Sequence, residues 1–538
     1  MEKFLLLLCC FSAVFGDGTI VQLPNGKIQG KIAYTYINKI KFWAFQGIPY
    51  AAPPVGKNRF QPPQPVDNWN GTRAATHSPI CYQTGLNHKD SGEDCLYLHV
   101  YTPKEPGTNS SLPVMLNIHG GTYRRGAGFA GYIQPQYLME HNVVIVSINY
   151  RLGPFGFLST GDKIIPGNMG LKDQQYAIKW TKNNIHLFGG DPNKITIMGQ
   201  SAGSASVTYH LLSRSSSGLF RAAIAQSGSA LNTWAFQRHP VDTAYGIAAM
   251  IDPNFSRNKS TQELSDVLMN AGAEAIHATG SKYSTFAPVL EVEHDGAFIT
   301  ESMYQKAADG EVNKVPYLGG ICSEEGIIVA TNIHNWEKIV KKFDDDARNL
   351  VDEDMYIDDD SKKLEAGNAI KKIFTNGSLL DHIGSSVQYQ TDNRYVRAPI
   401  KFAELVSEYI DVYFYQFSYH GKLGKNTHLI EGIGKVGHGE DLNYLWAGHK
   451  TFDGFPESDV LTVRRYVGLL TNFAKYLNPL PEKSDLFQNL TLPKFTKTRK
   501  TYLDIDKDLT IKENPREFSF QKWVDVFEKY AKKPLISF

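Results

Sequence analysis

The stretch Lys194-Ile195-Thr196-Ile197-Met198-Gly199-Gln200-Ser201-Ala202-Gly203-Ser204 decides how the chain is read. Lys194 to Met198 holds the apolar, β-branched run of a buried strand, and Ser204 to Leu212 has the composition of a helix. Between them a serine stands with a glycine two positions away on either side. A strand that feeds a sharp turn from which a helix leaves lifts the serine oxygen above the sheet and lets backbone N–H groups face what it attacks. Side chains in the glycine places would crowd that turn. The bare pattern G-x-S-x-G also describes ordinary glycine-rich turns, so the strand and helix around it carry the reading.

A serine hydroxyl is a weak nucleophile without a base, and in a sheet of this kind the acid and then the histidine follow it in chain order. Glu325, in Cys322-Ser323-Glu324-Glu325-Gly326, comes after the apolar segment Val315 to Gly320. His438, in Gly437-His438-Gly439-Glu440-Asp441, lies on a loop after Val412 to Phe417; its glycine neighbours and position set it apart among sixteen histidines. Upstream, Asn117-Ile118-His119-Gly120-Gly121-Thr122 follows a strand pattern and has the form of a glycine loop that supplies N–H donors to an oxyanion.

Further strands are predicted at Leu112 to Ile118, Val143 to Ile148, Ala222 to Ala225 and Val412 to Phe417, with a helix at Leu171 to Asn184. Strand and helix in alternation imply an α/β fold with a central, mostly parallel twisted sheet and helices on both faces. Near the N-terminus, Val21 to Ile28 reads as a small antiparallel hairpin with an Asn25-Gly26 turn.

These residues resemble the type-B carboxylesterase and cholinesterase family of α/β-hydrolases, and the likeness to its insect-type secreted carboxylesterases runs from about Gly18 to Tyr530. Phe188-Gly189-Gly190-Asp191-Pro192 leading into the serine motif and Glu93-Asp94-Cys95-Leu96-Tyr97-Leu98 carry it, with Asn149-Tyr150-Arg151-Leu152-Gly153 and Gly47-Ile48-Pro49-Tyr50-Ala51. The resemblance implies one α/β-hydrolase domain over residues 17–538, with Ser201 as nucleophile, Glu325 as acid and His438 as base. It also implies oxyanion N–H donors from Gly121, Thr122 and Ala202, support from Ser227, and a Cys81–Cys95 disulfide. The reaction implied is hydrolysis of a small, lipophilic carboxylic ester through an acyl-enzyme, which requires no metal and no organic cofactor.

Three departures bear on substrate. Thr122 stands where the oxyanion loop usually ends in glycine, and its β-branched side chain restricts the loop and fills space near the acyl site. The segment between Cys81 and Cys95 contains no Trp, where cholinesterases place the ring that binds a choline cation. Gln200 replaces the usual Glu, as in the insect juvenile hormone esterases, which cleave a sesquiterpenoid methyl ester. Arg59-Phe60 and Asp173-Gln174 also fit that group, whereas Lys435 stands where it usually has Gly. Juvenile hormone esterase is therefore an alternative, and a catalytically silent adhesion protein of the same fold a second one. Trp234, soon after Ser227, is expected either to line the acyl side or to be ordinary packing.

The first sixteen residues, with the apolar run Phe4 to Phe15, read as a secretory signal, so the mature chain is expected to begin near Asp17 and to be extracellular. The run is shorter than the roughly 20 residues that span a bilayer, so no membrane anchor is expected. Sequons at Asn70, Asn109, Asn254, Asn258, Asn376 and Asn489 agree with export as glycosylation candidates. Cys81, Cys95 and Cys322 remain in the mature chain, which predicts one bridge and one leftover thiol; Cys81 with Cys95 closes a short loop, and Cys322 is expected to be buried and inert.

Composition excludes other classes. Lys+Arg 56 against Asp+Glu 55 lacks the basic surplus of a nucleic-acid binder, and 42% hydrophobic residues exclude a disordered chain. Gly432 to Gly437 fits G-x-G-x-x-G but neither closes a strand nor opens a helix. Asp504 to Asp508 begins like a calcium loop, but Leu509 takes its glycine place and Pro515 its glutamate place. Phe518 to Tyr530 is an amphipathic aromatic helix suited to core packing.

Overall fold

A computed structural model describes residues 19–83, 91–129, 133–283, 285–448 and 452–538. The signal-like segment therefore lies outside the described residues, as do residues 84–90 of the loop between Cys81 and Cys95.

Eleven strands form the main sheet: β1 (Lys31–Tyr34), β2 (Lys41–Pro49), β3 (Tyr97–Thr102), β4 (Leu112–Ile118), β5 (Val144–Ile148), β6 (Gly190–Gln200), β7 (Ala222–Gln226), β8 (Tyr317–Cys322), β9 (Val412–Phe417), β10 (Thr501–Ile505) and β11 (Leu509–Glu513). Their spatial order is β1-β2-β3-β5-β4-β6-β7-β8-β9-β10-β11. Neighbours from β5 through β10 run parallel, and the pairs at both margins run antiparallel. The α/β-hydrolase fold read from the sequence is the one observed.

Strict alternation along the central strands sorts their side chains into two cores. Val114, Leu116 and Ile118 of β4 face one core and Met115 the other; Ile195 and Ile197 of β6 face the first and Met198 the second. The first core is closed by α1 (Met169–Asn184) and α2 (Ala202–Leu212), the second by α3 (Glu457–Tyr476) through Tyr466, Val467, Leu470 and Phe473. Each such fully buried aliphatic or aromatic side chain contributes about 1.5–3 kcal/mol. With both faces covered, the strands read as continuous apolar runs, which is why β4 and β9 match their predicted spans.

One local expectation changes, the position of the N-terminal turn, and the calcium-like stretch finds its structural place. In the hairpin Ile20–Leu23 with Gly26–Gln29, Leu23 pairs Gly26, so Pro24-Asn25 make the turn. Gly26, at φ 155°, lies under Trp69, and a Cβ there would come within 2.5 Å of the indole. The calcium-like stretch is the β10–β11 hairpin, in which Asp504 accepts from Ser418 Oγ at 2.6 Å and from Lys512 Nζ at 2.6 Å. The Cys81–Cys95 disulfide is formed, and Cys322 is a fully buried thiol whose burial raises its pKa, which keeps it inert. All six sequon asparagines are exposed and lie off helices and strands. No described helix is long and apolar enough to cross a membrane.

Candidate active site

Parallel strands deliver their C-terminal ends to one edge of the sheet, and every predicted catalytic residue comes from that edge. Ser201 follows β6, Ser227 follows β7, Glu325 follows β8, His438 lies in the long loop after β9, and Gly120 to Thr122 follow β4.

The elbow is built by close backbone contacts. Ser201 has φ 58° and ψ −122°, a left-handed conformation held by its N–H donating to the Gln226 carbonyl at 2.9 Å and by the start of α2. A Cβ on Gly203 would lie 2.0 Å from the Ile118 carbonyl oxygen, and one on Gly199 would lie 2.5 Å from Gly203. Glycine is thus required on both sides for the reason read from the sequence. Gly120 is pressed against the elbow from β4, since a Cβ there would stand 2.5 Å from the Gln200 carbonyl oxygen and 3.0 Å from Ser201 Cβ.

The glycine loop after β4 continues with three residues at positive φ, Gly121 at 109°, Thr122 at 56° and Tyr123 at 57°. Gly121 cannot carry a side chain, because a Cβ would meet the Arg125 carbonyl oxygen at 2.0 Å. Neither the Gly121 nor the Thr122 N–H donates to an acceptor among the described residues, so both remain available as donors. Thr122 is exposed, and its hydroxyl donates to the Gly121 carbonyl at 2.7 Å.

Beside the elbow, His438 Nδ1 and Glu325 Oε2 are 2.5 Å apart, and Glu325 Oε1 accepts the Cys322 N–H at 2.7 Å. Glu325 is wholly buried, and its turn is docked by the Gly326 N–H donating to Thr391 Oγ1 at 2.9 Å. Gly432 to Gly437, which fitted a nucleotide-loop pattern, instead cradles this turn: the Glu324 N–H donates to the Val436 carbonyl at 2.9 Å. His438 Nε2 sits 3.1 Å from Gln200 Nε2. With Nδ1–H donated to Glu325, Nε2 carries a lone pair, and the Gln200 amide donates to it where a Ser201 proton would have to arrive.

Several participants carry no local sequence signal. Tyr395, from a π-helical turn over Thr391–Val396, lays its ring 4.3 Å from the imidazole and fixes its tilt. Asp441 is a second wholly buried carboxyl near Glu325; burial, with the Glu325 charge adding to it, raises its pKa, and its Oδ2 accepts from Tyr466 at 2.6 Å and from Gln226 Nε2 at 3.2 Å. Ser227, at φ 61°, is buried behind the elbow with its hydroxyl unpartnered among the described residues. Trp234 donates to the Arg394 carbonyl at 2.5 Å, and its ring edge lies 3.2 Å from the place a Gly228 Cβ would take. Trp234 thereby packs on the Gly228 side of Ser201, with its ring 6.3 Å from that of Tyr395.

Beside Gln200 lies a cavity of about 410 Å³, lined by Gly120, Gly121, Ile133, Gln200, Leu442 and Trp446 among others, and by neither Trp234 nor Tyr395. Thr122 is not among the residues lining it, so its side chain takes no space there.

The carboxylesterase family model matches residues 17–523. A carboxylic ester hydrolase of Bombus ignitus is 37% identical over 74% of this chain and 75% of its own length. Mouse neuroligin-2 is 30% identical over 90% of this chain and 64% of its own length. The crystal structure of juvenile hormone esterase from Manduca sexta, with OTFP covalently attached, superposes with a TM-score of 0.83 at 26% identity, covering 95% of this chain and 100% of that one.

Proposed function

The chain belongs to the carboxylesterase family, and from that premise we propose that it is an exported serine esterase in which Ser201 attacks, His438 transfers the proton and Glu325 fixes the imidazole. The observation that carries this reading is the 2.5 Å His438–Glu325 contact at the edge where β6 presents Ser201 beside an apolar cavity. Its disulfide and six exposed sequons support export.

In the reaction so proposed, an ester carbonyl enters between Ser201 and the N–H groups of Gly121, Thr122 and Ala202. His438 Nε2 takes the hydroxyl proton as Ser201 Oγ bonds to the carbonyl carbon, and the oxyanion charge falls on the N–H groups, each worth about 10²–10³ in turnover. The imidazolium then gives its proton to the departing alkoxide, and water repeats the attack to free the acid. Before any of this Nε2 must exchange its Gln200 contact for Ser201. Replacing Gln200 by Glu would set a carboxylate beside Nε2 and stabilise the imidazolium, raising the histidine pKa. The base form is then lost at higher pH, so the acidic limb of a kcat/KM profile is expected to move up by about one pH unit. An unmoved limb would mean that Gln200 does not govern the imidazole.

The cavity also says which half of the ester is large. The leaving oxygen must lie at His438 Nε2, and Gln200, which touches that nitrogen, lines the cavity. The space therefore receives the alcohol, while Trp234 and Tyr395 confine the acyl group. A second reading, cleavage of a sesquiterpenoid methyl ester, is favoured by Gln200 and by the superposition on the Manduca enzyme. A methoxide leaving group, however, would leave this cavity unfilled.

The test pairs the acetate of a long branched alcohol with the methyl ester of the corresponding acid, alongside mapping of an organophosphate adduct. We expect the acetate to be cleaved with a kcat/KM at least about tenfold higher and the adduct to lie on Ser201. Preference for the methyl ester would establish the second reading. Folded protein with neither turnover nor adduct would leave the silent adhesion fold, the third reading.

A further inference from the structure

The charge of the leaving-group cavity is one-sided. Its walls are apolar or amide: Ile133, Ala127, Leu442 and Trp446, with Gln83, Asn117 and Gln200. His119 also lines it, but burial pushes that imidazole down to about 4, and it stacks on Tyr150 at 4.4 Å, so it is neutral in use. Among the described lining residues Arg125 alone carries a charge.

Arg125 is placed for that role. Its N–H donates to the Gly121 carbonyl at 3.1 Å, and its Cγ lies 3.0 Å from where a Gly121 Cβ would stand, so the stem runs along the oxyanion loop. The residue lines the cavity and is also exposed, as expected of a side chain whose stem follows an apolar wall while its charged head stays in water. No carboxylate among the described residues pairs with it, and Gln200 offers an amide where a carboxylate would have welcomed a cation. An apolar chamber with one guanidinium at its mouth suits a ligand that is apolar along its length and anionic at its far end, since a carboxylate can be taken bidentately there.

We propose that Arg125 selects the alcohol half of the substrate by charge, so that the preferred esters release an apolar alcohol bearing an anionic group at its distal end. The inference rests on the esterase reading above. The chemistry is unaltered: the acyl carbon–oxygen bond breaks as the acyl group is held on Ser201 Oγ. The alkoxide takes its proton from His438, the alcohol leaves with its anionic group, and water completes the cycle.

The experiment compares three acetates of one ring skeleton, 3-acetoxybenzoate, 3-acetoxytoluene and 3-acetoxy-N,N,N-trimethylanilinium, on the full-length protein and on Arg125→Gln and Arg125→Glu. Ratios between enzymes cancel the differing leaving-group acidities. We expect the anionic-to-neutral ratio of kcat/KM to fall about fivefold in Arg125→Gln, the size of one partly hydrated ion pair, and the cationic-to-neutral ratio to rise. In Arg125→Glu the order should invert, and 0.5 M salt should shrink the wild-type preference. Ratios that stay within a factor of two across the enzymes would overturn this inference alone. Absence of turnover on all three, with no organophosphate adduct, would overturn the esterase reading and this inference with it.

Discussion

Replacing Ser201 by Ala is expected to lower kcat on any cleaved acetate by at least about 10⁴-fold, because the pathway through an acyl-enzyme disappears with the hydroxyl. KM should stay near its wild-type value, since the cavity walls and the Gln200 side chain that meet the alcohol are untouched. The variant should fold. The strained φ of 58° at this position is imposed equally on alanine, and the bonds that hold the elbow, Ser201 N–H to Gln226 and Ala205 N–H to Ser201, belong to the backbone. Residual hydrolysis above solution chemistry would come from the Gly121, Thr122 and Ala202 N–H groups acting on a water-attacked carbonyl. Steady-state kinetics beside mass mapping of the organophosphate adduct decide the matter. Turnover within tenfold of wild type, or an adduct that persists elsewhere in the cavity, would remove Ser201 from the mechanism.

What the sequence disclosed follows from what local physics can encode. The elbow was legible because its glycines stand between a strand pattern and a helix pattern, although the Ile118 carbonyl that forbids a side chain on Gly203 lies on another strand, and β4 and β9 were legible because both their faces are buried. The marginal strands β1, β2, β10 and β11 were not singled out; β1 has no buried residue and β11 only Leu509, so neither shows the apolar run of a buried strand, although each pairs with its neighbour in sequence. Motifs that carried the family resemblance prove to be buried scaffolding. Arg59 Nε and Glu93 pair at 2.6 Å, and Arg151 reaches Asp173 through its side chain at 2.7 and 2.8 Å and its backbone N–H at 3.0 Å. Each is a charge that must find its one partner or lose several kcal/mol, which makes the stretches distinctive without making them catalytic. Substrate preference was the least legible property. The cavity gathers Gln83, Gly120, Ile133, Gln200 and Trp446 from separate loops, and Tyr395 reaches the imidazole from a π-helical turn that no periodicity announces.

Glu325→Gln is expected to cost nearly as much as loss of the nucleophile, about 10⁴-fold in kcat, although it removes only a charge. Glu325 is wholly buried and accepts two hydrogen bonds, from the Cys322 N–H and from His438 Nδ1–H. Glutamine brings one acceptor and one donor to the same place. The Cys322 amide can only donate, so the glutamine oxygen must turn to it and the glutamine NH₂ must face Nδ1. Nδ1 then has to accept, the imidazole proton moves to Nε2, and Nε2 loses the lone pair that would receive the Ser201 proton. The loss is thus a tautomer effect: kcat and the rate of organophosphate labelling should fall together while thermal stability changes little, because the buried glutamine keeps the shape of the glutamate and both of its hydrogen bonds. Glu325→Asp, which keeps two acceptors on a shorter stem, should recover part of the rate. Asp441 is a buried carboxyl whose charge couples to that of His438, but its Oδ2 is committed to Tyr466 and Gln226. If Glu325→Gln retained activity within a hundredfold of wild type while Asp441→Asn lost it, the acid of the site would be Asp441 and the histidine would have to turn away from the contact seen here.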